Sequence, residues 1–596
     1  MRKLFLRAWE MHAEFRRFFV VVLGFIAIMQ VLGMVWPIVY GMIIDAVWKR
    51  NYASALQFAL LALALDIVTN FLGFKKHDYQ NQKFDYDAPR SLGVKTLWKF
   101  FDFSVGQHVN EHSGIKQTVI NEGKQALRDS VELVIYNVIP IGVQFLFVIA
   151  YLFYKSRSLG TVVLAGGILF LYSVSKLNRA VGADLKKLRD ERVKIGKEHQ
   201  EIIQNASVIA LNSQEKKVVS SYDDTLLKYG EFGKRLWQRY ARQNMLVNFS
   251  IPDVTAFLVI ALGAWLVIRG DYTPGFLVTV LALSSRAVNN LSMMGPWQRQ
   301  MLENSLKIDR YFTMMDVESE VKVVENPISP LQYEGKIEFR GVEFAYPRRS
   351  YLKDKEEQIP KGKSEPVIRD VSFTVWPGEK VAVIGKNGAG KSTLFHLLLR
   401  SFDPDKGQIL VDDNDLRLLD LTRYREVGAG YVEQDVKLFD NTLRQNILFG
   451  LNGRGPAVTD EELKQVCDTS RISSFFPTLE KGFDTLIGEK GVRLSGGQVK
   501  MVGIARAIIK NPAVLLFDEA TAGLDPEEEA ILYESMRSAA KGRTTLIITH
   551  RLSTVKNVDR ILVFNASRLV GEGTHGELLR RCPTYKTMVE SAVSTF

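Results

Sequence analysis

The chain has 596 residues, too many for one hydrophobic core, so several domains are expected. A net charge of +11 fits either a nucleic-acid binder or a membrane protein with basic cytoplasmic segments. Long uncharged runs in the first half favour the second reading, and the two cysteines, Cys467 and Cys582, form neither a disulfide framework nor a metal-ligand pattern.

Residues 1–17 carry Arg2, Lys3, Arg7, Arg16 and Arg17 and are too short for a domain. Residues 18–44 hold no charge, which is long enough to cross a bilayer and too long for a signal-peptide core. Pro37 is expected to kink that span. Further apolar runs near 53–74, 133–154, 159–175, 247–268 and 274–297 make six spans, the last interrupted by Arg286, Asn289 and Asn290. Loops after the first, third and fifth spans are short. The segments 75–131 and 176–244 are long and rich in Lys and Arg, which places them and both termini in the cytoplasm. They read as helices continuing past the membrane, with breaks near 104–114 and 206–214 that turn the chain back. Gln30, Asp66, Asn70, Asn137, Gln144, Asp253 and Arg286 lie in or near spans, and two readings stay open for them: substrate contacts or helix–helix hydrogen bonds. The membrane domain is thus 1–315. Residues 316–333, with Pro327 and Pro330, form a linker, and a soluble domain occupies 334–596.

In that second half, Gly385-Lys386-Asn387-Gly388-Ala389-Gly390-Lys391-Ser392 follows the apolar run 381–384 and precedes a helical pattern from Leu394. Strand, glycine-rich loop and helix start are the context of a P-loop. Backbone N–H groups along Gly385, Asn387, Gly388 and Gly390 would cradle phosphate, reinforced by the helix N-terminus. Lys391 would reach the β- and γ-phosphates, and the Ser392 hydroxyl would ligate Mg²⁺. The strand pattern 514–517 ends in Asp518 and Glu519, placing Asp518 opposite Ser392 at the metal and Glu519 as general base toward water. Ser495-Gly496-Gly497-Gln498 opens another helix and offers a second phosphate-binding surface. Two grips on one nucleotide imply a sandwich between two copies of the domain.

These motifs in this order resemble the ABC transporters, specifically exporter-type half-transporters with one membrane domain preceding one nucleotide-binding domain. The resemblance spans nearly the whole chain. It implies a six-helix membrane domain with long cytoplasmic extensions, then an α/β P-loop NTPase domain of ABC type. Tyr346 matches the aromatic that stacks on adenine, and Gly385 to Thr393 matches Walker A. Gln434 matches the Q-loop residue that touches Mg²⁺, and Glu489 matches the exporter acid before the signature sequence. The signature itself is 494–498, including Ser495, Gly496, Gly497 and Gln498. Asp518 and Glu519 match Walker B and the catalytic base, Leu524-Asp525 the end of the D-loop, and His550 the switch histidine near the γ-phosphate. The breaks near 104–114 and 206–214 match coupling helices, the second reaching to the partner chain. Two stretches depart: Ala522-Gly523 stands where the family usually has Ser-Ala, and Val499-Lys500-Met501 replaces an Arg/Gln-rich run. The charged insertion 348–365 reads as a surface loop.

The resulting expectation is an ATP- and Mg²⁺-dependent transporter working by alternating access, an exporter or flippase of a lipid, drug-like amphipath or peptide. Its place would be a bacterial inner (cytoplasmic) membrane, in contact with membrane lipid, with the nucleotide-binding half in the cytoplasm. Both Glu519 and an intact signature are present, which favours a homodimer, with a heterodimer as the alternative. An ATP-gated channel or regulator and an exporter-fold importer are the competing functions. A DNA-repair ATPase shares these motifs but needs no spans, so no nucleic-acid partner is expected.

Overall fold

The computed structural model describes residues 7, 10, 11, 13–110, 113–245, 247, 250–347, 364–451, 458–488 and 491–593. Glu489, most of the insertion (348–363), and residues 111 and 112 of the first cytoplasmic break lie outside them. The chain divides into two compact units, Met1–Lys99 with Lys116–Asp316, and Phe100–Ile115 with Val317–Phe596. Sixteen residues from within the helical half of the sequence therefore belong to the second unit.

Among its described residues the first unit contains helices and no strand. Among the described residues, five stretches are long and apolar enough to span a membrane: Arg16–Trp48, Tyr52–Phe101, Gln117–Lys155, Arg157–Ala180 and Ile251–Ile268. A sixth, Pro274–Val288, is apolar but shorter. We label the first helix α1 (Arg16–Trp48), the next α2 (Tyr52–Gln80), and the helix that holds the shorter sixth run α3 (Pro274–Ser292). The second and third spans each contain a π-helical segment, Asn81–Asp87 and Leu133–Val138. Around these segments Phe18, Phe19, Phe84, Val131 and Ile135 form a buried cluster.

Polar atoms in α3 have identifiable partners. Pro37 in α1 has no N–H, so the Gly33 carbonyl one turn earlier loses its helical donor. Arg286 supplies the replacement, its Nη1 donating to that carbonyl at 2.9 Å. The Asn290 amide donates to Gln144 Oε1 at 2.7 Å. At the other end of α3, Asp45 accepts from the Thr273 hydroxyl (2.6 Å) and the Gly275 N–H (2.7 Å). A side chain at Gly275 would lie 2.0 Å from the Gly41 carbonyl oxygen, so this crossing needs glycine. Two of the interruptions that weakened the sixth span in the sequence, Arg286 and Asn290, are thus its attachments to α1 and to Gln144.

Among its described residues the second unit holds two large sheets and a two-stranded ladder. One is antiparallel, in the order β2 (Ile368–Val375), β1 (Ile337–Phe344), β4 (Lys406–Val411), β5 (Asn414–Asp415). The other has β3 (Lys380–Gly385) beside β10 (Thr544–Ile548), then β9 (Val514–Asp518) and β6 (Ala429–Val432), all parallel. On its far side β3 pairs in parallel with β11 (Arg560–Asn565), which carries β12 (Arg568–Gly573) antiparallel. A two-stranded ladder, β7 (Asn441–Thr442) with β8 (Leu486–Ile487), stands apart. Every residue of β9 and β10 is buried, as expected of parallel strands covered on both faces. The carboxyl ends of β3, β6, β9 and β10 carry the motif residues, the edge where α/β sheets place their ligands.

Candidate nucleotide site

β3 delivers Gly385 to the start of a loop in which Gly388 (φ +79°) and Gly390 (φ +97°) adopt left-handed backbone that side chains resist. A Cβ on Gly390 would also sit 2.6 Å from the Val367 carbonyl oxygen. Gly390 is the N-cap of α4 (Lys391–Leu398), and no side chain caps that helix. Its first N–H groups therefore remain for an anion. Lys391 is buried, with its ammonium donating to the carbonyls of Gly385 (2.9 Å) and Lys386 (3.3 Å). Burial holds its pKa below the usual lysine value, while Glu519 and Asp518 pull it upward.

Ser392 donates its hydroxyl to Asp518 Oδ1 at 3.3 Å, and Tyr431 donates to Oδ2 at 3.2 Å. Asp518 is buried, which raises its pKa, and these two hydrogen bonds oppose the rise. Together Ser392 and Asp518 present a hydroxyl and a carboxylate side by side, an all-oxygen donor set of the kind Mg²⁺ takes. Gln434 follows β6 and is exposed.

Glu519 has φ +44°, a strained conformation for a glutamate. Its N–H donates to the Ile548 carbonyl (3.1 Å), and its carbonyl accepts from Ala522 N–H (3.0 Å). Its side-chain Oε1 lies 3.0 Å from His550 Nε2. The loops after β9 and β10 thus bring the two residues together although 31 positions separate them. Tyr346 hydrogen-bonds through its hydroxyl to Thr393 Oγ1 at 2.9 Å, and its ring meets Phe402 edge-on at 5.3 Å.

Ser495 and Gln498 pair with each other instead of with the cradle. Ser495 caps helix α5 (Gly496–Ile508), accepting from Gln498 N–H at 3.3 Å, while Gln498 Oε1 accepts from Ser495 N–H at 2.9 Å. Ser495 and Gly496 are exposed and Gly497 is buried. A Cβ on Gly497 would crowd the Glu528 carboxylate at 3.1 Å.

Sequence reasoning missed three participants. Tyr431, three residues before Gln434, aims its hydroxyl at Asp518. In the short helix Val105–Asn110, the Gly106 N–H donates to the Ser401 carbonyl at 3.1 Å, and a Cβ there would lie 2.2 Å from the Phe402 ring. Beside it, Gln107 donates to the Glu318 carbonyl at 3.0 Å. The first cytoplasmic break thereby contacts Phe402, whose ring also touches Tyr346. Gly106 was the available signal, but nothing local names its partner. The second break contains the helix Ala206–Leu211, none of whose residues is buried.

Comparison with known proteins gives the family. Residues 19–291 match the family model described as ABC transporter transmembrane region, and 368–522 match ABC transporter. The chain is 29% identical over 572 residues to the ATM1-type heavy metal exporter of Novosphingobium aromaticivorans, covering 93% of this chain and 88% of that protein. It is 30% identical to the ABC transporter ATM1 of Toxoplasma gondii over 84% of this chain, and spans only 44% of that relative's length. A solved bacterial Atm1-family ABC exporter with ATP bound superposes with a TM-score of 0.81 at 26% identity, covering 97% of this chain and 99% of that one. The chain belongs to the ABC transporters: it is an exporter-type half-transporter whose helical transmembrane domain precedes an ABC ATPase coupled to transport.

Proposed function

We propose that two copies of the chain form an exporter that moves an amphipathic substrate (a lipid, a drug-like molecule or a peptide) across a bacterial inner membrane, with the ATPase half inside. The observation that carries the dimer is the split between a cradle whose helix start has no capping side chain and a signature helix whose start, Ser495 and Gly496, is exposed. In this reading Tyr346 stacks on adenine. Gly385, Asn387, Gly388, Gly390, Lys391 and Thr393 bind the phosphates, and the partner copy's Ser495, Gly496, Gly497 and Gln498 close over them. Ser392, Asp518 and Gln434 would hold Mg²⁺, which neutralises charge on the phosphates when bound. Glu519 takes the proton of the attacking water. His550, within hydrogen-bond reach of that carboxylate, orients it and faces the γ-phosphate. Gly106 carries the change at the nucleotide to the membrane domain through Phe402.

An amphipath is favoured over a bare metal ion. Among the described residues no three His, Cys, Asp or Glu side chains cluster to hold a metal, and both cysteines lie in the ATPase half. A substrate-stimulated ATPase screen in nanodiscs with lipids, drugs and peptides tests the reading. Stimulation by an amphipathic class is expected, and stimulation by metal salts alone would contradict it. ATP-driven flux against a gradient in vesicles separates export from import and from a gated channel.

A further inference from the structure

Lys500 occupies the second turn of α5, the helix that Ser495 caps. It is 8% exposed, and its ammonium donates to the Ala522 carbonyl at 2.7 Å. No carboxylate among the described residues pairs with it directly, and Asp435, next to Gln434, acts on it from farther away. A buried cation without an ion-pair partner is costly to keep. Its surroundings suggest what it does.

Ala522 closes the turn that begins at Glu519, donating its N–H to the Glu519 carbonyl at 3.0 Å. Gly523, the next residue, has φ +76° and open space where a Cβ would stand. One turn farther along α5, Gly503 packs so close to Val436 that a Cβ would approach Cγ2 at 2.7 Å. Farther along the same turn, the Cβ position of Gly496 is 3.4 Å from Leu524. One buried ammonium thus sits where the signature helix, the segment after Gln434 and the turn of Glu519 meet.

We propose that Lys500 is a positioning residue that couples two nucleotide sites, tying the turn that holds its own chain's Glu519 to the helix whose Ser495 engages the other ATP. The proposal rests on the reading that ATP is sandwiched between two copies. A displacement of α5 on engaging one nucleotide then draws on the Ala522 carbonyl and resets Glu519 at the other. The hydrogen bond of the Lys500 ammonium goes to a backbone carbonyl and not to Ser495 or Glu519, so its loss leaves both chemical groups in place.

The test is ATPase rate against ATP concentration for the full-length protein in nanodiscs, comparing wild type, Lys500→Met and Lys500→Arg. Wild type is expected to be cooperative, with a Hill coefficient approaching about 2 for two coupled sites. Lys500→Met is expected to lose about tenfold in kcat with KM within about twofold, and its Hill coefficient falls toward 1. Lys500→Arg, which keeps a charged donor, restores both. A merely structural lysine would lower Tm without changing the Hill coefficient. Should Lys500→Met not fold, Gly523→Ala strains the same turn from its other side and is expected to lower cooperativity likewise. A folded Lys500→Met with wild-type kcat and cooperativity overturns the proposal alone. A wild type that is monomeric with a Hill coefficient of 1 overturns the sandwich reading and the proposal with it.

Discussion

Two helix starts in the ATPase unit carry glycine-rich phosphate motifs and end up in opposite states. At α4 the N-cap is Gly390 in left-handed backbone with no capping side chain, and Lys391 folds back onto its own loop. At α5 the N-cap is Ser495, fully engaged in a reciprocal box with Gln498. The first helix end keeps its amides for a ligand. The second has satisfied itself and presents an exposed serine. The difference is what the proposed dimer explains: a cradle complete within one chain, and a capped helix start left exposed for a second copy. Each substitution below bears on that contrast.

The largest effect is expected at Glu519, the proposed general base. Glu519→Gln keeps the hydrogen-bonding shape but removes the base, and kcat should fall about 10²–10⁴-fold while ATP still binds. A near-normal ATPase rate in that variant would show that Glu519 is not the base. The two helix starts should then separate. Lys391→Ala should lose ATP binding, because the cradle is built within one chain. Ser495→Arg should leave binding to isolated chains near wild type and lower turnover about 10²-fold by preventing closure. Nucleotide affinity and steady-state rate, measured on both variants, check this; equal binding defects would erase the distinction.

A smaller effect is expected where the membrane half of the sequence enters the ATPase unit. Gly106→Val would place a side chain into the Phe402 ring, and overpacking of this kind costs about 1–3 kcal/mol. Basal ATPase should persist while substrate stimulation is lost. Retained stimulation would remove Phe402 from the coupling route.

The smallest effect concerns Lys510, which donates to the Arg425 carbonyl at 2.7 Å and whose pKa burial depresses to about 8. Below that value the ammonium is charged in both folded and unfolded chains, and its burial penalty is present in full. As pH rises from about 8 toward the unfolded value of about 10.4, the folded chain sheds the proton first and the penalty fades. The Tm of wild type should therefore gain on that of Lys510→Met between pH 7 and pH 9, by a few degrees at most. A pH-independent gap would mean that Lys510 titrates normally.

Much of the candidate site was legible in the sequence because its motif residues sit in short runs at strand ends. Gly385 to Ser392 and Asp518-Glu519 need only a strand before them to be read. The pairing of Glu519 with His550 needed the parallel register of β9 and β10, which no local pattern contains. Gly106 was invisible as a contact because its meaning lies in a ring nearly three hundred residues away. Lys500 stood out as an unusual residue, yet its partner Ala522 became apparent only once the two helix-flanking turns were placed together. In the membrane half, the polarity of Arg286 left a substrate contact and a helix tie equally open. The carbonyl that Pro37 frees at Gly33 gives it a structural partner.

The central claim is that the cradle of one chain is closed by Ser495 of another. Cross-linking tests it most directly, with Asn387→Cys and Ser495→Cys introduced together into a Glu519→Gln chain expressed alone. The native cysteines are buried, so the introduced pair should dominate the reaction. The account predicts a dimer-sized species on oxidation that forms with ATP and not without it. A protein that stays monomer-sized under ATP, or cross-links equally in its absence, would contradict it.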